Sequence, residues 1–487
     1  MQFDIPSRHL TACYTQSGIA AHDTNPCIAA LPPIRSDDDW LQRLTVIPEV
    51  EPDELALPAH IRSYKVVGLK ELFVPTEELL RHARRLDQLI RWGYEQRNPV
   101  GPDRARTLQA AYELGQSGKA EFSSFRRVPP MFSYSLIGAS GLGKSVSTER
   151  VLATYPQYLL HPSLNLHQLV WLKVETPRDG SVRELGMNIL RGIDEVLGTE
   201  HAPQHTRYAN ASAIMAKVCA LASTYCLGLL VLDELQNLSV KKSGGREEML
   251  NWVQELINEL HLPVALIGTY KAKKILSLDA RHARRNTATG SAFWKPLARN
   301  SEEFAILVES AWECQWLRER GPLTDEVMDT VFEETQGIRA FVIDVLMVCQ
   351  VHALRSGSEA ITPALIKHVA RREFAPVQHV IKAMRSGDPR RLALLDDIAD
   401  YDVDEMLERG RSGMQAASFT PTRTASGSFT AAAVANVQSA LGVNRAEAEY
   451  LVSMAAGTTP PTSAKALTQK AIDLFTQQRS NGTQPAL

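Results

Sequence analysis

Two periodicities alternate along the middle of the chain. From Thr76 to Glu95 the apolar positions Leu79, Leu80, Ala83, Leu86, Ile90 and Tyr94 recur at helical spacing, and Pro75 with Thr76 supplies a start signal. A second helix is expected from Pro102 to Leu114. The period then shortens: MFSYSLIG (131–138) is a brief apolar run that stops at a glycine, as a buried strand does. Similar runs stand at LVWLKVE (169–175), LGLLVLDE (227–234), PVALIGT (263–269) and FAILVE (304–309). Helical patterns at Val182 to Leu197, Ala211 to Tyr225 and Arg246 to Leu260 separate most of them. Strands alternating with helices call for a parallel sheet covered on both faces, so an α/β core is predicted over 120–315. Residues 324–373 hold helical runs at Thr324 to Thr335, Ile338 to Arg355 and Thr362 to Phe374 and no strand run, which predicts a small helical lid over 316–375.

The flanks read differently. Within the N-terminal segment 1–119, residues 1 to about 60 are rich in Pro and Asp with few periodic apolar positions. They predict an extended arm with one short helix near Asp37 to Leu44, suited to docking on a partner. The C-terminal extension 376–487 contains a Ser/Thr/Ala/Gly linker at about 412–430 with almost no charge, followed by a helical piece over about 431–477.

Composition narrows the possibilities only a little. A length of 487 residues suggests two or three folding units. The net charge of -2 gives no global pull toward nucleic acid, so a DNA contact requires a local basic surface. The start, MQFDIPSRHL, lacks the basic and apolar regions of a secretion signal, and the longest apolar stretch, Phe341 to Leu354, is interrupted by Asp344. A cytoplasmic protein with no membrane span is expected. Its six cysteines read as free thiols, and Cys13, His22 and Cys27 are too loosely spaced to argue for zinc.

The chemistry begins at GASGLGKS (138–145), which fits G-x-x-x-x-G-K-[ST] between a predicted strand and a predicted helix. This is a P-loop. Gly138, Ala139, Ser140, Gly141, Leu142, Gly143, Lys144, Ser145 and Val146 would cradle the phosphates of ATP with backbone N–H groups and the positive end of the following helix. Lys144 would reach the β and γ phosphates, and Ser145 would offer its hydroxyl to Mg2+. LLVLDE (229–234) is an apolar strand ending in two acids, where charge is tolerable only at a sheet rim facing an ion or water. Asp233 fits the Mg2+ shell, and Glu234 a base or orienter for the attacking water. Thr269 closes the next strand and would project its hydroxyl to the same rim.

Basic residues gather in KAKK (271–274) and RHARR (281–285). Arg284 and Arg285 are candidates for an arginine acting in trans on a neighbouring subunit's nucleotide. A solvated basic helix end and a DNA-phosphate contact are the competing readings. Arg339, after Gly337 at the start of a lid helix, would point back toward the γ phosphate, or would stand as a structural arginine.

GASGLGKS, LLVLDELQNL, VALIGTYKAKKIL with RHARR, and ETQGIRAFVIDVLMVCQVHAL occur together in this order. The set resembles the TnsC/TniB family of AAA+ transposition regulators over roughly 120–375, most specifically in DELQNL (233–238), IGTYKA (267–272) and TQGIRAFV (335–342). The resemblance implies an AAA+ P-loop NTPase fold. It also implies an ATPase that assembles as a ring or helical filament on duplex DNA and links a target-selection protein to transposase subunits. It further implies Lys144 and Ser145 on nucleotide and Mg2+, Asp233 and Glu234 in hydrolysis, Thr269 as sensor 1, and an arginine in 281–285 completing the neighbouring site. DNA-backbone contacts would fall within Arg178 to Lys217, with Arg183, Arg207 and Lys217 as candidates. The lid departs from the family pattern, with Arg339 set in GIRAF. Other classes remain open: an AAA+ replication initiator or helicase loader, although 375–410 holds no convincing recognition helix, and a signalling or scaffold NTPase, for which the C-terminal region is short.

Overall fold

A computed structural model describes residues 9–101, 133–178, 181–202, 210–239, 260–272, 291–386 and 403–412, with isolated positions between and beyond them. The helices expected at Pro102 to Leu114 and Arg246 to Leu260, and the linker at 412–430, lie largely outside the described residues.

Five parallel strands form the central sheet, in the order β5-β6-β7-β2-β8. They are β2 (Ser133–Gly138), β5 (Trp171–Glu175), β6 (Leu229–Asp233), β7 (Val264–Gly268) and β8 (Ser291–Trp294). Every residue of β2, β6 and β7 is buried, as continuous apolar runs require when both sheet faces are covered. Register aligns the carboxyl ends: Glu175 stands beside Asp233, Ile137 beside Gly268, and Gly138 beside Trp294. A small second sheet joins β1 (His9–Thr11), β3 (Tyr158–His161) and β4 (Leu166–Leu169) in the order β1-β3-β4. The expected run 169–175 is therefore shared between two sheets.

Helices α3 (Lys144–Leu152), α4 (Val182–Leu197) and α5 (Ala211–Thr224) connect these strands. Gly186 lets α4 and α5 pack closely, since a Cβ there would lie 2.6 Å from Ile214 Cγ2. The fifth strand is not where the apolar runs put it. FAILVE (304–309) lies within helix α6 (Glu302–Glu313), whose start is capped by Ser301 accepting from Phe304 N–H. Phe304, Leu307, Val308 and Ala311 are buried at helical spacing. A short continuous apolar run reads alike for a buried helix and a buried strand, and the Ser-Glu-Glu start decides for the helix. The strand is the shorter SAFW at 291–294, half-exposed at the sheet edge.

The lid comprises α7 (Asp325–Thr335), α8 (Arg339–Ser356) and α9 (Pro363–Arg372), followed by α10 (Gln378–Ser386) and α11 (Val403–Arg411). The N-terminal residues, expected as an extended arm, instead form short helical turns that pack inward. Helix α1 (Asp37–Leu44) lies at the predicted place, with a capping box at Ser36 and Asp39. Cys27, Ile28, Trp40, Leu44 and Leu69 share one apolar cluster with sheet residues Leu136, Val231 and Ile267 and lid residues Phe341 and Val345. Their apolar positions are spread over several short turns, too few per turn to register as a period. Arg62 fixes this segment to the lid, donating to Trp316 O at 2.7 Å and pairing with Glu359 at 2.6 and 2.9 Å. Among the described residues no single helix is long and apolar enough to cross a membrane. The compact unit Met1–Gln415 is distinct from Ala416–Leu487, in which Ala433, Val437, Ala448, Leu451, Val452 and Ala455 form a separate apolar cluster.

Helix α2 (Glu77–Glu95) brings His82 into the core. Its Nδ1 is 3.1 Å from Tyr134 Oη on β2, and its Nε2 is 3.0 Å from Thr148 Oγ1 on α3. Complete burial pushes the His82 pKa down to about 3. The unfolded chain therefore binds a proton in the window between pH 6.5 and about 3 that the folded chain refuses. Unfolding free energy is expected to fall in that window by up to about 1.4 kcal/mol per pH unit through this residue. Urea titrations at several pH values check this, and His82→Gln is expected to remove that part of the slope. Truncating the buried end of the Arg62 pair, Arg62→Ala, is expected to cost about 3 kcal/mol, read as a lower urea midpoint.

Candidate nucleotide-binding site

The carboxyl ends of β2, β6 and β7 converge on one rim, where open α/β sheets bind ligands. β2 runs into the loop 139–143. Gly141 and Gly143 have φ of +76° and +83°, and Gly143 stands at the start of α3 without a side-chain cap on its first N–H groups. Such a helix start offers N–H donors and the positive end of the helix dipole to an anion. Lys144 folds back over the loop, its buried Nζ donating to Gly138 O at 3.0 Å and Ala139 O at 2.7 Å. Ser145 follows, half-buried in the first turn, and Val146 is exposed.

At the end of β6 Asp233 is buried. Its Oδ1 accepts from Glu234 N–H at 2.8 Å, and its Oδ2 lies 3.0 Å from Lys173 Nζ. Lys173, on β5, also pairs with Glu149 on α3 at 2.7 Å. Burial opposes its charge, but the hydrogen bond to Glu149 and the field and hydrogen bond of Asp233 outweigh that and hold its pKa above the ordinary lysine value.

Glu234 adopts φ of +57°, the left-handed region that side-chain-bearing residues seldom occupy. Its carboxylate accepts from Gln236 Nε2, while Gln236 Oε1 accepts from Thr269 N–H at 3.0 Å. One buried amide thus joins the acidic strand end to the neighbouring strand end. Among the described residues, Thr269 Oγ1 is buried without a hydrogen-bond partner, as is Thr176 Oγ1 just past β5. The Thr176 backbone is held in place, its N–H donating to Asp233 O at 2.9 Å.

Arg339 does not stand free across a domain gap. It donates to Leu142 O of the P-loop at 3.2 Å and to Thr76 Oγ1 at 2.9 Å, with its guanidinium 5.5 Å from the centre of the Trp294 ring. Burial lowers its pKa, against the opposing fields of Glu78 and Glu303. Arg183 is the second residue of α4, and Lys217 lies midway along α5. Arg207, Arg284 and Arg285 lie outside the described residues.

The residues present fit a nucleotide with Mg2+. Ser145 and Asp233 are hard oxygen donors of the kind Mg2+ takes, few in number so that phosphate and water complete its shell. The start of α3 has no side-chain cap, and among the described residues the buried Thr269 hydroxyl has no hydrogen-bond partner. Sequence reasoning missed Lys173, Glu149 and Gln236. A lysine inside the apolar run LVWLKVE was the available signal, because a charge in a buried strand requires a partner. Gln236 stood within DELQNL, without a separate pattern to mark it.

Because the Thr269 hydroxyl has no partner to lose among the described residues, Thr269→Val is expected to leave unfolding free energy unchanged or raise it by up to about 1 kcal/mol. Denaturant unfolding checks this, and a loss of 2 kcal/mol or more would mean a partner within the protein.

The TniB family model, described as bacterial TniB protein, matches residues 123–296. No curated protein matches the chain. Among solved structures, the ORC1 protein of Aeropyrum pernix in complex with DNA is 14% identical, covering 79% of this chain and 84% of that one with a TM-score of 0.34. A Walker-type ATPase of Pyrococcus abyssi is 14% identical, with coverages of 76% and 88% and a TM-score of 0.35. Domain III of the replication initiation protein DnaA of Thermotoga maritima is 16% identical, with coverages of 55% and 90% and a TM-score of 0.29. At these scores none of the three bears on what this chain does. The parallel sheet, P-loop and covering helices form an α/β fold, and the segment that matches the TniB family model, residues 123–296, holds both the P-loop and the acidic strand end.

Proposed function

We propose that this protein is an ATP-driven switch of DNA transposition. It binds ATP with Mg2+, oligomerises as a ring or helical filament on duplex DNA, and links a target-selection protein to the transposase. The observation that carries the reading is the bridge through Gln236, which ties Glu234 to Thr269 at the rim where the P-loop opens, within the segment of TniB type.

In this reading the N–H groups of residues 139–146 and the Lys144 ammonium bind the phosphates, and Ser145 and Asp233 hold Mg2+. The bound metal supplies charge neutralisation on the phosphate oxygens. Glu234 orients the attacking water, and its position depends on Gln236, so water alignment and the Thr269 backbone move together. Thr269 Oγ1 senses the γ phosphate or that water. Arg284 or Arg285 of an adjacent subunit completes the site, and Arg339 ties the lid to the P-loop. Arg183, Arg207 and Lys217 contact DNA phosphates, which makes binding weakly sequence-specific and sensitive to salt. Transposase and target-selection protein dock on surfaces outside the nucleotide rim.

Electron microscopy of the protein with duplex DNA and ATP, a non-hydrolysable analogue or no nucleotide tests the reading. Assemblies on DNA are expected only with nucleotide, and none with Lys144→Ala. Protein that stays monomeric and off the DNA in every condition would point instead to a scaffold or signalling ATPase.

A further inference from the structure

Lys173 stands within β5, between the buried Leu172 and Val174. Its side chain, 14% exposed, is shared by two unlike carboxylates: Glu149 at 2.7 Å, 57% exposed, and Asp233 at 3.0 Å, 3% exposed. The two pairs differ in what their loss costs. Glu149 is solvated with or without its partner, whereas Asp233 without a counter-charge would be an uncompensated buried anion. The other oxygen of Asp233 is already engaged by Glu234 N–H at 2.8 Å.

A divalent cation at Asp233 changes that balance. It neutralises the carboxylate, and at a few ångströms it repels the lysine. Lys173 has a second partner in place, because Glu149 lies one helical turn beyond Ser145 on α3 and already holds the same ammonium. The release route is thus built into the P-loop helix itself.

We propose that Lys173 is a resident counter-ion that keeps the metal position at Asp233 and yields to Glu149 when metal and nucleotide bind. It thereby sets how strongly nucleotide affinity depends on Mg2+. Lys173 is a positioning residue here, acting through Asp233. The inference rests on the nucleotide reading of this site.

Two substitutions shift the balance in opposite directions. Lys173→Met removes the competitor, and Glu149→Gln removes the alternative partner and leaves Lys173 on Asp233. Affinity of the full-length protein for a fluorescent ATP analogue, titrated with Mg2+, reads both. The Mg2+ midpoint is expected to fall at least about fivefold in Lys173→Met and to rise by a similar factor in Glu149→Gln, the size of an ordinary coupling between sites. Lys173→Arg, which keeps the charge, is expected to stay near wild type, and should Lys173→Met fail to fold, the Glu149→Gln and Lys173→Arg proteins carry the comparison. A merely structural lysine would weaken folding without moving the Mg2+ midpoint in either direction. Unmoved or equally shifted midpoints, with the wild type binding the analogue, overturn this proposal alone. A wild type that binds no analogue at any Mg2+ concentration overturns the nucleotide reading with it.

Discussion

A buried carboxylate at the end of a buried strand is the constraint around which the rim is arranged. β6 must be apolar throughout because helices cover both faces of the sheet, and its run is broken only at Asp233. An anion there is tolerable only with partners supplied by neighbouring elements. The backbone of Glu234 supplies one, at the cost of a left-handed turn, and Lys173 of β5 supplies the other. Because Lys173 also holds Glu149, the same charge set reaches across to the P-loop helix. The register that puts Glu175 beside Asp233 is what lets β5 deliver its lysine to that place.

The features legible in the sequence are those with local causes. α4 begins and ends where its apolar period does, between the cap Ser181 and Gly198 at φ of +68°. The P-loop was legible because its glycines and lysine are adjacent in the chain. The pairing of Lys173 with Asp233 was not, since the two are 60 positions apart and only strand order makes them neighbours. Gln236 is a related case: its residue type is ordinary, and its role arises from Gly268 on the next strand, where a Cβ would stand 3.2 Å from its Oε1. The fifth strand was misplaced for a different reason. A run such as FAILVE carries no period of its own, and the cap in front of it outweighs its apparent strand character. The N-terminal segment hid its packing in the same way, its buried residues being dispersed over many short turns.

The lid is joined to the nucleotide loop more directly than an arginine reaching across a gap would provide. Ala340 N–H donates to Gly141 O at 3.1 Å, Arg339 donates to Leu142 O at 3.2 Å, and Leu297 N–H donates to Gly337 O at 3.0 Å. Gly337 makes this approach possible, since a Cβ there would lie 2.0 Å from Leu297 O. These contacts from the lid are to the carbonyls of the P-loop, not to its N–H groups. Arg339 adds α2 through Thr76, whose hydroxyl also accepts from Leu79 N–H at 3.4 Å to cap that helix. P-loop, lid and N-terminal helix therefore meet at one guanidinium. A change in the conformation of 139–143 cannot be confined to the loop, because its carbonyls at Gly141 and Leu142 accept from Ala340 and Arg339 at the start of α8, and Arg339 carries the contact on to Thr76.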